Sequence, residues 1–185
     1  LDVGLDPDLG IGTAAVIAER LARLPQASEA ALSAIVGPLL GERPAGPLCI
    51  VEVGQVTRPI RFLREGATVV VVGDTVTSFV AEAAQVRAEP EALYGYPVAS
   101  LLALPTDRTA HDVSAEQLRT HWRVAVAAEA AGLLAAALDS VCRYTSERQQ
   151  FGRPLASFQG MRHRLAEAQV RTNGVYWLAM KAAHT

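Results

Sequence analysis

The first forty-six residues carry apolar side chains at helical spacing. Within residues 13–24, apolar positions recur every three or four residues, while the charged positions lie outside that stripe. Pro25 ends the pattern, and Ser28 is placed to cap a second helix running to about Leu40. The pattern therefore predicts a helical region over residues 1–46.

After Pro47 the chain changes to short β-branched or aliphatic segments separated by glycine, proline and acidic residues, which is typical of strands. We predict strands at residues 48–53, 58–63, 68–72 and 98–104. The valines at 69–72 form an unbroken apolar run, which indicates a strand covered on both faces. Residues 77–90 fit either a strand or a short helix. Residues 47–113 are thus predicted to form a small β domain.

Two long helical patterns fill residues 114–185. Ser114 and Gln117 have the spacing of a capping box, so the first helix should begin there and run about 50 Å to near Arg148. Its predicted apolar stripe contains Leu118, Trp122, Ala125, Glu129, Leu133, Ala137, Val141 and Tyr144. The second helix follows Pro154, with a predicted seam of Phe158, Met161, Leu165, Ala168, Thr172, Val175 and Ala179. Alanine-rich faces let helices pack closely, so these residues predict the start of a helical bundle in an α+β, mainly α, protein.

Composition narrows the class of protein. The chain has 185 residues, half of them hydrophobic, and a net charge of only -2, which argues against a nucleic-acid surface. Its uncharged apolar runs, at 124–128 and 132–138, are too short to span a bilayer, and the start lacks secretory-signal features. Cys49 and Cys142 fall in a predicted strand and helix, not in a disulfide framework, and the four histidines lie scattered without metal-ligand spacing. We expect a cytoplasmic protein without metal, membrane or nucleic-acid partners.

The connector between the two long helices carries the most distinctive chemistry. Residues 148–159 read Arg-Gln-Gln-Phe-Gly-Arg-Pro-Leu-Ala-Ser-Phe-Gln, and the Gly-Arg-Pro segment predicts a turn. Arg148 offers planar donors suited to phosphate, and Gln150 and Gln159 add amides. The two phenylalanines are placed to pin the turn onto a core. From spacing alone, a solvated hairpin with two packing aromatic residues is the simpler interpretation.

These residues also match a family signature. The run from Tyr144 through Arg148-Gln-Gln-Phe-Gly to Phe158-Gln159 resembles the Tyr…Arg-x-x-Phe-Gly…Phe-Gln signature of the acyl-CoA dehydrogenases. The resemblance is strong from about Trp122 to about Gln169 and weaker, in pattern only, before residue 113. It implies a partial N-terminal helical domain over residues 1–46, a middle β domain over 47–113 and an incomplete C-terminal bundle over 114–185. The family fold would then extend beyond both ends of the sequence.

The resemblance also assigns roles to residues. Family members bind FAD, and the arginine and glutamines of the signature reach across a subunit interface to the pyrophosphate and adenosine of a neighbour's cofactor. Carried over, the FAD-binding residues are Arg148, Gln150, Phe151 and Gln159, and the substrate-binding residue is Arg123. The arginine fork suits a pyrophosphate.

No residue of this sequence is assigned as the general base. Trp122 stands where one subgroup has its catalytic glutamate, and the commoner glutamate would lie beyond Thr185. Glu129 lies on the apolar stripe, where burial would raise its pKa and suit a base. The simpler interpretation is a hydrogen-bonded carboxylate at a helix crossing. The β region also departs from the family, because no Gly-Ser-Asp follows Cys-Ile-Val-Glu-Val-Gly at 49–54 and no tryptophan occurs there.

The resemblance implies an acyl-CoA dehydrogenase subunit that converts an acyl-CoA thioester to a trans-2-enoyl-CoA, in fatty-acid or steroid side-chain β-oxidation. It implies a homo- or hetero-oligomer, a dimer or tetramer built through the C-terminal helices, and an electron-acceptor flavoprotein. The departures in the β region favour one half of a hetero-oligomer that is active with its partner. The alternatives are a non-catalytic structural partner subunit, a self-sufficient homotetramer and an acyl-CoA oxidase.

Overall fold

The computed structural model describes residues 10–41, 43–89 and 95–184. The α-helices within these residues are α1 (Gly10–Ala22), α2 (Ala30–Ile35), α3 (Ala115–Glu147) and α4 (Gln159–Ala182). The strands in the same part of the chain are β1 (Leu48–Glu52), β2 (Ile60–Arg61), β3 (Thr68–Val72), β4 (Val76–Val80), β5 (Val86–Ala88), β6 (Val98–Leu101), β7 (Thr109–His111), β8 (Gln149–Gln150) and β9 (Arg153–Pro154). Helices thus flank a β region in the chain, which confirms the predicted α+β, mainly α, fold class. The predicted regions also include residues 1–9, 42, 90–94 and 185, which lie outside the described residues.

The second helix is shorter than predicted. The Ser28 hydroxyl accepts a hydrogen bond from the Ala30 amide at 3.1 Å, but the N-cap residue is Glu29, one position later than predicted. The α-helix ends at Ile35, and Gly37–Leu40 continues as a 3-10 turn. Pro38 lies in that turn; it has no amide hydrogen to donate within an α-helix. The predicted continuous helix to Leu40 was therefore wrong.

The β region contains two small sheets. One has the order β1-β3-β4-β7, with β1 parallel to β3 and the other pairs antiparallel, and the second has the antiparallel order β2-β6-β5. All four predicted strands are present, although β2 keeps only two residues. The ambiguous segment resolves into β4 and β5 with a 3-10 turn between them. Sequence pattern missed β7, which is short and largely exposed.

Strand β3 is the shared wall of two hydrophobic cores. All five of its residues are buried. Val69 and Val71 pack with Phe79 in the core between the sheets, and Val70 packs with Leu118 of α3 in the core on the opposite face. Because successive strand side chains point to opposite faces, a run of valines supplies both cores at once. The predicted two-sided burial is confirmed.

Helix α3 is the central element of the helical layer and contacts α1, α2 and α4. Its N-terminal stripe is buried as predicted at Leu118 and Ala125, but Leu133, Val141 and Tyr144 are exposed. The buried positions of the second half are instead Ala131, Gly132, Leu138 and Thr145. Buried positions of α3 recur at steps of seven residues, at 118, 125 and 132 and at 124, 131, 138 and 145, whereas repeated steps of four move a stripe around the helix. The predicted stripe was wrong in that half.

The predicted seam of α4 is confirmed by burial: Thr172 and Ala179 are buried, and Met161 and Leu165 are half-buried.

Helix α3 bears on the expectation that no apolar segment is long enough to span a bilayer. By length and composition this helix could cross a membrane, since an 18-residue window has a mean hydropathy of 1.7, contrary to the expectation from its short apolar runs. This is weak evidence for a membrane span, because one such helix is also typical of the core of a soluble protein.

Candidate functional site

The connector after α3 folds into a two-stranded hairpin. The Arg148 amide donates to the Tyr144 carbonyl at 2.8 Å and closes α3, and the Arg148 carbonyl accepts from the Leu155 amide at 2.8 Å. Gln150 then pairs with Arg153 across β8 and β9. The two residues between the strands are Phe151 and Gly152. The predicted Gly-Arg-Pro turn was therefore wrong: the turn begins one residue earlier, and the arginine and proline form β9.

Phe151 holds the turn in a strained conformation. It has φ 53° and Gly152 has φ 75°. Two consecutive positive φ values fit the twist of a two-residue hairpin, but the first position normally holds asparagine, aspartate or glycine. For phenylalanine this conformation costs roughly 1–2 kcal/mol. An uncommon backbone conformation at an aromatic residue is a reason to suspect a function.

The Phe151 ring does not pin the hairpin onto a core, as the sequence suggested, because it is 92% exposed. The ring meets the edge of the Phe158 ring, at 6.3 Å between centroids and 80° between planes. The Arg153 guanidinium lies over the other ring, 4.1 Å from the Phe158 centroid. The tip thus presents a large apolar ring to solvent beside a cation that is held on an aromatic face.

The surroundings of the hairpin are rich in basic residues. Arg148 is exposed, and its guanidinium has no hydrogen-bond or ion-pair partner within residues 10–41, 43–89 and 95–184. Arg162 and Arg164 are exposed in the first turns of α4, and Gln159 begins that helix with no side-chain cap on its free amides. The positive end of the helix dipole and the arginines together favour an anionic ligand. Gln150 is also exposed.

Arg123, the predicted substrate-binding residue, lies in a different place. It is exposed on α3 beside Glu52 at the end of β1, which the Arg119 guanidinium binds through two hydrogen bonds of 2.7 and 2.8 Å. The hydrogen bonds from Arg119, together with the charges of Arg119 and Arg123, lower the pKa of Glu52. Twenty-five residues of helix, about 37 Å, separate Arg123 from Arg148. One chain therefore cannot bring both residues to one reacting group.

We expect the Glu52–Arg119 pair to make the stability of the fold depend on pH. The folded pKa of Glu52 lies below its ordinary value of 4.5, so the pair stabilises the protein above pH 4.5 and loses that effect as the pH falls through the lowered pKa. Glu52→Gln should flatten the decline of the urea midpoint between about pH 5 and 3. Glu167→Gln, which removes the exposed pair with Arg171, is the control and should leave the slope almost unchanged. An equal effect of both variants would contradict the assignment of this pH dependence to the Glu52–Arg119 pair.

Glu129 forms an ion pair. Its carboxylate accepts a hydrogen bond from the Arg61 guanidinium of β2, and its side chain is 14% exposed. The simpler interpretation of a hydrogen-bonded carboxylate is confirmed, although the partner comes from a strand rather than from a helix crossing. Both residues line a cavity of about 220 Å³ between α1, α2, α3 and β2. Sequence reasoning missed this ion pair because sixty-eight residues separate its members.

Replacement of the strained residue gives a direct test of its role. Phe151→Gly should raise the free energy of unfolding by about 0.5–1 kcal/mol, because the relieved strain exceeds the added freedom of the unfolded chain. Gly152→Ala, which introduces strain at the next position, should lower it by about 1 kcal/mol. Urea unfolding measures both. A loss of stability in Phe151→Gly would mean that the ring contributes to the fold itself.

Comparison with known proteins matches the C-terminal part of the chain to one family. The sequence profile described as "Acyl-CoA dehydrogenase, C-terminal domain" matches residues 113–185. A 3-(aryl)acrylate reductase of Clostridium sporogenes is 39% identical over 62 residues, which are 34% of this chain and 16% of that protein. The acyl-CoA dehydrogenase IpdE2 of Mycolicibacterium smegmatis is 28% identical over 152 residues, which are 72% of this chain and 47% of that protein.

Solved structures share the fold over almost the whole chain. The ChsE4–ChsE5 complex of Mycobacterium tuberculosis has a TM-score of 0.67 at 20% identity, over 95% of this chain and 61% of the other. The Tcur3481–Tcur3483 steroid ACAD has a TM-score of 0.65 at 23% identity, over 99% of this chain and 65% of the other. The chain thus spans under two thirds of these relatives, and the structural likeness shows the fold.

Proposed function

We propose that this chain, whose residues 113–185 match the acyl-CoA dehydrogenase C-terminal domain, is a subunit of an FAD-dependent acyl-CoA dehydrogenase that completes a cofactor site in a neighbouring subunit. The reaction would be the α,β-dehydrogenation of an acyl-CoA thioester to a trans-2-enoyl-CoA. The observation that carries the proposal is the hairpin tip. A strained, exposed Phe151 beside an Arg148 that has no partner among the described residues suits contact with a ligand that this part of the chain does not cover.

The residues at the hairpin fit the outer part of FAD. Arg148 would hold the pyrophosphate with its guanidinium fork, since a charged planar donor matches two phosphate oxygens. The exposed amides of Gln150 and Gln159 would donate to the adenosine and phosphate oxygens, and the Phe151 ring would pack on the cofactor. When bound, FAD supplies the hydride acceptor. The proton at the α-carbon would be taken by a base outside this sequence.

The distance between Arg148 and Arg123 supports active sites that are shared between subunits. Arg148 and Arg123 lie about 37 Å apart along one helix, so each would serve a different active site of an oligomer. Arg123 would contact substrate near the end of β1. There the Glu52 carboxylate is already taken by Arg119, and Glu129 is taken by Arg61. Neither carboxylate is available as a general base, which favours a base from a partner subunit.

A hetero-oligomer is the assembly we favour. The ChsE4–ChsE5 complex is formed by two differently named proteins, and its chain shares this fold. A steroid ACAD is also among the structural neighbours, so bulky steroid side-chain thioesters and fatty acyl thioesters are both candidate substrates. The oligomer would form through the C-terminal helices, work in the cytoplasm and pass electrons to an acceptor flavoprotein.

A second candidate is a structural partner subunit without flavin contact. The ion pairs that occupy Glu52 and Glu129 favour it, because neither of these two carboxylates is then free for chemistry. Under that alternative, loss of Arg148 would change neither the flavin content nor the activity of the complex.

The deciding experiment combines a visible absorption spectrum with light-scattering mass, on the full-length protein alone and mixed with the product of the neighbouring gene. We expect a colourless protein that becomes yellow only in the mixed oligomer, with one FAD for each pair of chains. A yellow homo-oligomer with one FAD per chain would overturn the shared site and indicate a self-sufficient dehydrogenase. A mixed oligomer that stays colourless would support the structural subunit.

A further inference from the structure

The two arginines of the connector have different surroundings. Arg148 is exposed, and its guanidinium has no hydrogen-bond or ion-pair partner in the described part of the chain. Arg153 is also exposed, but its guanidinium lies 4.1 Å from the centroid of the Phe158 ring. A cation this close to the face of an aromatic ring is attracted by the negative charge of that face. Arg153 is therefore engaged within its own chain, whereas Arg148 is available to a ligand.

Phe158 is a rigid partner for this contact. The residue is half-buried and lies at the N-cap of α4. Its amide donates to the Leu155 carbonyl at 3.1 Å, and its carbonyl accepts from the Met161 and Arg162 amides at 3.0 and 3.1 Å. These hydrogen bonds belong to the turn before α4 and to the first turn of that helix, so they hold the Phe158 backbone in place. The contact between Arg153 and Phe158 therefore joins β9 to α4.

The hairpin itself has few contacts that would hold its tip. Strands β8 and β9 contain two residues each. A two-stranded hairpin is marginally stable on its own. The turn adds the strained φ of Phe151, and the Phe151 ring, which is 92% exposed, has little packing. One further contact from the hairpin to a helix should therefore have a measurable effect on where the tip lies.

We infer that Arg153 is a positioning residue, which acts through Phe158 to hold the hairpin tip against the start of α4. The contact fixes the Phe151 ring, two residues before Arg153, relative to Gln159, which directly follows Phe158. Phe151 and Gln159 are two of the residues that would contact FAD, so the inference rests on the proposed function for its ligand. It gives the second arginine a role that needs no contact with the cofactor.

The first test is hydrogen exchange of the Leu155 amide in the full-length protein, followed by NMR. This amide donates to the Arg148 carbonyl at 2.8 Å, so it exchanges when the hairpin opens. Arg153→Gln should raise its exchange rate about two- to fivefold, the size expected for an exposed contact between a cation and a ring. Arg153→Lys keeps a cation at the ring and should restore most of the protection. The control Arg171→Gln replaces an exposed arginine of α4 and should leave the rate unchanged.

A double variant tests whether Arg153 acts through Phe158. Phe158→Leu removes the same contact, so adding Arg153→Gln to it should cause no further increase in the exchange rate of the Leu155 amide. An unchanged rate in Arg153→Gln alone would overturn the inference, and so would effects of the two substitutions that add. Circular dichroism checks that each variant is folded.

Binding of FAD by the mixed oligomer tests the role of Arg153 at the cofactor. Arg153→Gln should weaken binding about two- to fivefold and keep its dependence on salt between about 0.1 and 1 M, because Arg153 does not meet the phosphates. A flatter salt dependence, as expected for a lost phosphate contact, would overturn the inference and make Arg153 a cofactor ligand. An unchanged FAD affinity beside faster amide exchange would overturn the role in FAD binding. The proposed function fails separately, if Arg148→Ala leaves FAD affinity unchanged, and exchange in the chain alone then still shows whether Arg153 holds the hairpin.

Discussion

Arg148→Ala should weaken FAD binding by the mixed oligomer about 10- to 100-fold. Charge-assisted hydrogen bonds contribute roughly 1.5–3 kcal/mol, and each 1.4 kcal/mol corresponds to a tenfold change in affinity. Because the Arg148 guanidinium has no partner in the described part of its own chain, the substitution should leave the thermal stability of the isolated chain unchanged. Flavin fluorescence during dilution of the complex measures the dissociation constant.

The matched control is Arg171→Ala, which removes another exposed arginine from α4 and should not change FAD affinity. Arg148→Lys separates charge from geometry: a lysine keeps the charge but not the fork, so it should restore only part of the affinity. An unchanged dissociation constant in Arg148→Ala would remove the shared cofactor site and leave the structural subunit as the better interpretation.

Gly132→Ala should lower the free energy of unfolding by about 2 kcal/mol or more, the upper part of the range for overpacked cores. A Cβ atom at Gly132 would stand 2.1 Å from the Glu19 carbonyl oxygen and 2.8 Å from the Ala22 methyl group. The carbonyl belongs to the backbone of α1, so the contact could be relieved only by moving that helix away from α3. The alanines of α1 would then lose their close packing against Ala125 and Ala128.

Gly174→Ala provides the internal control for this prediction. Gly174 lies within α4, and a Cβ atom there would meet nothing within 4 Å. Alanine is the better helix former by about 1 kcal/mol, so this variant should gain stability while Gly132→Ala loses it. Urea unfolding of the two variants gives the comparison. Equal changes in the free energy of unfolding of the two variants would show that α1 and α3 pack less closely than in this structure.

Periodicity was sufficient to predict most of the fold. The capping serine before α3, the valine strand and the seam of α4 each depend on local spacing, which survives in the folded chain. The errors arose where tertiary packing or a single residue overrode the local periodicity of the sequence. The buried face of α3 departs from the predicted stripe because it follows seven-residue steps. The helix before Gly41 is shorter than predicted because Pro38 lies in a 3-10 turn.

The candidate site was predicted only in part. The signature residues could be named from the sequence and stay a prediction, as do the three domain boundaries. The positive φ of Phe151 gave no sequence signal, because a Phe-Gly pair is not typical of a two-residue hairpin. The pairs Arg61–Glu129 and Arg119–Glu52 join residues nearly seventy positions apart, so only the folded chain shows that these carboxylates are occupied.

The position of β3 between two cores affects how the protein unfolds. The five residues of β3 contribute to one core on each face of the strand. Loss of either core therefore also destabilises the other, because both depend on this inner strand of the first sheet. The sheet and the N-terminal half of α3 should therefore open together rather than in sequence, and the β3 amides should exchange with solvent only when the whole chain unfolds. Any rearrangement between subunits would have to move the β region and that half of α3 as one body.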